Sequence, residues 1–95
     1  MEQNFSTGDI VLSKAGRDKG NYFVIVSLDE MFAEICDGDL HKTDKPKKKK
    51  LKHLKKTGGF SQYIKDKILE GAKVTNTELR RVVSEFEATL GNPNC

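Results

Sequence analysis

Residues 8–39 read GDIVLSKAGRDKGNYFVIVSLDEMFAEICDGD, and this stretch decides the fold. Gly8-Asp9 opens a short apolar run, Ile10-Val11-Leu12, that stops at Ser13-Lys14-Ala15-Gly16. Tyr22 to Leu28 is the clearest strand, rich in aromatic and β-branched residues. Period-2 alternation puts Val24, Val26 and Leu28 on one face and Phe23 and Ile25 on the other, which predicts a strand covered from both sides or one crossing a small barrel. Asp29-Glu30 makes a tight connection to Met31–Cys36, where Ala33 and Ile35 alternate with Glu34. Asp37-Gly38 is the strongest hairpin signal in the chain, because glycine adopts positive φ without steric cost. It predicts a further short strand from Asp39 into Lys42. Beyond Pro46, Leu51 and Leu54 anchor one last strand or turn beside His53. Four to five short antiparallel strands in so few residues are best satisfied by a small, strongly bent barrel, which removes most exposed edges.

The second half reads as helix. Gly58-Gly59 is the expected break. Ser61 caps a first helix with Ile64, Ile68 and Leu69 on one side, Phe60 packing back and Gly71 ending it. Thr75 and Glu78 form a capping box for a second helix, with Val74 and Leu79 at staple positions. Leu79, Val82, Val83, Phe86 and Leu90 then recur at helical spacing, before Gly91 and Pro93 stop it. The expected organisation is a mainly β barrel over residues 6–56 and a helical extension over 57–95 packed on it.

At 95 residues, 36% of them hydrophobic and none Trp, the chain supports one domain with a modest core. The longest apolar run, Tyr22 to Val26, falls far short of the ~20 residues of a membrane helix. No secretory signal is read at the start, and two cysteines are too few for a disulfide framework, so a reduced, cytoplasmic protein is expected. No nucleophile constellation is present, and Gly20 is followed by Asn21-Tyr22 rather than by the residues of a nucleotide-hydrolase phosphate loop. Cys36, His41, His53 and Cys95 lack CxxC or HxxxH spacing. An enzyme, a cofactor and a metal are therefore not expected.

Charge is distributed unevenly. Residues 1–39 carry a balance of −5, residues 40–56 (LHKTDKPKKKKLKHLKK) carry +8, and residues 57–95 are neutral. Lys47, Lys48, Lys49 and Lys50 are consecutive and repel one another unless something negative lies opposite. A solvated loop and an import peptide (PKKKKLK) are the plainer readings of such a run.

The 8–39 stretch resembles the KOW module, a family of large-subunit ribosomal proteins and transcription elongation factors. The likeness rests on Gly8-Asp9, the strand Ile10–Leu12, the glycine-bounded basic loop Gly16-Arg17-Asp18-Lys19-Gly20 and the valine-rich strand Phe23–Val26. It is nearest to small KOW-containing ribosomal proteins of archaea and eukaryotes, which follow the module with a basic segment bearing a His-Leu pair, here Lys52-His53-Leu54, and terminal helices. The resemblance implies an SH3-like barrel and an RNA-binding, ribosome-associated protein that contacts ribosomal RNA phosphates through the GRDKG loop and the lysine-rich segment 42–56.

The residues alone point the same way. Gly16 and Gly20 let the loop turn backbone N–H groups toward a phosphate. Arg17 offers a planar fork to phosphate or a stacking surface to a base, and Lys14 and Lys19 add charge on the same rim. Asp18 repels phosphate and is expected to restrain Arg17 or the loop backbone. If the basic strand lies beside the loop, Lys45, Lys47, Lys48, Lys49, Lys50, Lys52, Lys55 and Lys56 extend the patch, with His53 facing RNA or filling a structural role. Tyr22 is either a stacking platform or a partly buried barrel residue. The rival reading is an SH3-like protein–protein interaction module of the translation or transcription machinery that does not touch RNA.

Overall fold

Tyr22–Leu28 (β2) forms the middle strand of a five-stranded antiparallel sheet whose order is β4-β3-β2-β1-β5. Its neighbours are β1 (Asp9–Ser13) and β3 (Phe32–Cys36), and the edges are β4 (Lys47–Lys50) and β5 (Leu54–Phe60). A 3-10 turn, Leu51–His53, joins the two edge strands, so one open sheet bends round into a barrel-like shape. Two helices follow, α1 (Gln62–Leu69) and α2 (Asn76–Leu90). The structure, a computed structural model, describes residues 4–90. The expected mainly β architecture with a two-helix C-terminal extension is the one the chain adopts.

Alternation along the strands builds two apolar layers. Val11, Phe23, Ile25, Ala33, Ile35 and Leu54 fill the concave side of the sheet. Ile10, Val24 and Cys36 face the other way and meet Ile64 of α1 and Leu79 and Val83 of α2. Each fully buried large apolar side chain contributes about 1.5–3 kcal/mol, so the helices are part of the core rather than an appendage. The register slips between Ile25 and Ser27 of β2, where Val26 has no partner on β3. This bulge inverts the parity beyond it. Leu28, expected on the Val24 face, packs instead with the Phe23–Ile25 cluster.

Three expectations are corrected. Residues 39–42 form no strand, because Asp37-Gly38 does not make a two-residue hairpin. The Asp37 carboxylate accepts the N–H groups of Asp39 and His41, each at 3.0 Å, and so winds the chain into a longer loop. Its next strand is the lysine run itself. Gly58-Gly59 does not break the chain either; both lie inside β5, which carries the sheet to Phe60. Gly59 is required there because a Cβ would stand 2.6 Å from the Phe86 ring, which lies against the strand. Leu69 and Leu90, expected on the packed faces, are exposed.

Both helix starts follow the sequence. The Ser61 hydroxyl accepts the Ile64 N–H at 3.2 Å. Thr75 and Glu78 close a reciprocal box, the Thr75 hydroxyl accepting from the Glu78 N–H at 3.2 Å and Glu78 accepting from the Thr75 N–H at 2.9 Å. Glu78 also accepts from Lys67 at 2.8 Å and from the Tyr63 hydroxyl, which fastens α1 to α2. Lys67 first, then Tyr63 and the Thr75 N–H, hold the Glu78 carboxyl down at about 2. Gly91, Pro93 and Cys95 lie outside the described residues.

Candidate nucleic-acid interface

The loop between β1 and β2 is closed by its own backbone. The Ser13 N–H donates to the Asn21 carbonyl at 3.0 Å, and the Gly20 N–H donates back to the Ser13 carbonyl at 2.9 Å. Within it the Lys19 N–H donates to Gly16 at 3.2 Å and the Asn21 N–H to Asp18 at 3.1 Å. Gly16 and Gly20 take φ values of +86° and +91°, which side-chain-bearing residues rarely adopt. Because the N–H groups of Lys19, Gly20 and Asn21 point into the loop's own carbonyls, they form no phosphate cradle. Anion contacts at this end of the loop fall to side chains.

Asp18 turns inward from this charged rim and is 7% exposed. Its carboxylate accepts from the Ser13 hydroxyl at 2.7 Å, from the Lys49 ammonium, and from His41 Nε2 at 3.1 Å when that nitrogen bears a proton. Burial alone raises a carboxyl pKa; the hydrogen bonds from Lys49, Ser13 and His41 overcome it and bring Asp18 down to about 2. Lys49 also donates to the Ala15 carbonyl at 2.6 Å. The His41 ring packs on Phe23 with centroids 5.2 Å apart. One buried acid thus restrains its own loop, as expected of Asp18, and also locks β4 and the 37–46 loop to it. The Lys14 N–H donates to the His53 carbonyl at 2.8 Å, tying the 3-10 turn to the same loop.

The lysine run is therefore a strand whose side chains separate by register. Lys47 and Lys49 pair with Ile35 and Ala33, whose side chains face the concave core, while Lys48 and Lys50 pair with Glu34 and Phe32 on the opposite face. The negative groups that the run demanded are present: Asp18 against Lys49, and Glu34 across from Lys48. Lys49 is consequently no surface contact; it is buried in the ion pair. Lys48 lies over the Phe32 ring, 4.8 Å from its centroid, apart from the loop. Lys56 donates to the Asn4 carbonyl at 2.5 Å and stands 3.9 Å from the Asp9 carboxylate. Tyr22 packs edge-on against Phe86 at 5.3 Å, in the helix-facing cluster, so its ring serves the core rather than a base.

Lys14, Arg17 and Lys19 stand on the loop, Lys47 lines one cleft with Arg17, and Lys52 lies in the 3-10 turn that the Lys14–His53 bond ties to the loop; all five are exposed and, among the described residues, without an acidic partner in an ion pair. Lys55 sits opposite Leu12 of β1, and Lys45 and Lys50 are exposed on the 37–46 loop and at the end of β4. His53 is half-buried. Sequence reading missed the Asp18–Lys49 pair and the role of His41. The available signal was a lone acid in a basic loop and a like-charge run that needed a counter-charge.

Cys36 is free and buried, and its thiol is pushed up to about 12 by burial first and then by Asp37, Glu34 and Asp44, so no thiolate chemistry is available there. No helix among the described residues is long and apolar enough to cross a membrane. No family model and no curated protein matches the chain.

Proposed function

We propose that the protein binds RNA, in particular ribosomal RNA on a ribosomal particle, through the face formed by Lys14, Arg17 and Lys19 of the β1–β2 loop with Lys47 of β4 and Lys52 of the 3-10 turn. The observation that carries this reading is the lock that Lys49, Asp18 and His41 make between loop and strand. It holds several unpaired cations at fixed spacing, which favours a polyanion at little ordering cost. Arg17 supplies the bidentate or stacking contact and the lysines supply point charge. The likeness of residues 8–39 to the KOW module favours RNA as the polyanion.

Protein–protein recognition without RNA makes the opposite forecast in one experiment. Ribosomal particles are sedimented with the protein at low salt, with and without ribonuclease. RNA binding requires co-sedimentation that ribonuclease abolishes. A complex that survives ribonuclease overturns the RNA reading in favour of a protein partner.

A further inference from the structure

A cleft of about 300 Å³ opens beside the loop, lined by Gly16, Arg17 and Asp18 of the loop, Leu40 and His41 of the 37–46 loop, and Lys47 and Lys49 of β4. Its volume is at the lower end of ligand clefts, which run from about 300 to 1,000 Å³. Leu40 is 59% exposed at the tip of the 37–46 loop, next to a charged rim where a bare apolar side chain has nothing of its own to cover. The tip is built rather than loose. The Asp37 and Gly38 N–H groups donate to the His41 carbonyl at 3.0 and 3.1 Å. Arg80 of α2 donates to the Gly38 carbonyl at 2.7 Å, and the Thr43 N–H donates to the Asn76 side chain at 2.8 Å. Leu40 is thus presented from a loop fastened to α2.

Resting on the RNA-binding reading above, we infer that this cleft takes one unpaired base of the RNA, held between the Leu40 side chain and the Arg17 guanidinium. An apolar side chain and a planar cation lining one cleft suit the face of a nucleobase, whichever base it is. A base inside a duplex is stacked above and below and cannot enter. Asp39, exposed beside Leu40, repels phosphate from that lip. The attached phosphates are therefore directed to the Lys47 side, and the nucleotide enters in one orientation.

The test uses the intact chain and two RNAs of equal length and charge, a hairpin with an unpaired loop and a fully paired duplex, each carrying 2-aminopurine in place of one base. The hairpin, labelled in its loop, is expected to bind on the order of tenfold more tightly, the size of one stacked base, with a change in 2-aminopurine emission. Leu40→Ala, at an exposed position, should remove that advantage and leave duplex affinity unchanged. Equal affinity for both RNAs, or an advantage that survives Leu40→Ala, overturns the base-binding cleft while RNA binding stands. Binding of neither RNA overturns the RNA-binding reading itself.

Discussion

The Lys49 ammonium donates to the Asp18 carboxylate across 31 residues of sequence, and both side chains are 8% exposed. A charge pair this deep is costly to desolvate and is strongly destabilising when only one partner is removed. Its structural consequence is specific: it sets the register between a basic loop and a strand made of lysines. Of the strand's remaining cations, Lys47 then lies with the loop's Arg17, while Lys48 and Lys50 take the opposite face.

Removing Asp18 alone leaves a buried ammonium without its counter-charge. Asp18→Ala is expected to lower unfolding free energy by about 3–5 kcal/mol, whereas the double replacement Asp18→Leu, Lys49→Met recovers most of the loss. Urea unfolding of the single and double variants measures the coupling.

Acid provides a second test of the same pair. The folded-state pKa of Asp18 is depressed from 3.8 to about 2. Its contribution is therefore complete above the unfolded value and is lost as pH falls from about 4 to about 2, an effect on the order of 2 kcal/mol. Unfolding free energy measured across that window should fall more steeply in the wild type than in Asp18→Asn, which has no proton to take up there.

The parts of this fold that depend on local chemistry were legible. β1 and β2 follow from β-branched runs, β3 from the alternation of Ala33 and Ile35 with Glu34, and the Ser61 cap and the Thr75–Glu78 box from fixed hydrogen-bond offsets. The parts set by distant partners were not. Four lysines have low strand propensity, yet Lys47–Lys50 is a strand because β3 supplies its ladder and Asp18 neutralises Lys49. Gly59 read as a break, but its reason is the Phe86 ring from α2. The candidate site divides the same way. The loop cations were evident from residues 14–19, whereas the burial of Lys49 and the separation of Lys48 and Lys56 from the loop depend on register.

Two glycines with the same backbone sign separate strain from packing. Gly38 has φ +81° and a Cβ there would lie 2.2 Å from the Asn76 carbonyl oxygen, at the start of α2. Gly20 has φ +91° with nothing within 4 Å of that position. Gly20→Ala is expected to cost about 1–2 kcal/mol from backbone conformation alone. Gly38→Ala adds overpacking against α2 and is expected to cost roughly 2–5 kcal/mol. Thermal unfolding of both variants compares them directly, and equal losses would remove the proposed contact between the 37–46 loop and α2.

The most direct measurement is the salt dependence of RNA affinity for the wild type and for a variant with Arg17→Ala and Lys47→Ala together. With about five cations on phosphate, log K should fall against log[salt] with a slope of roughly −3 to −5, and the double variant should be shallower by about 2. A wild-type slope near zero, or one that the double replacement leaves unchanged, would contradict RNA capture by the loop and its neighbouring strand.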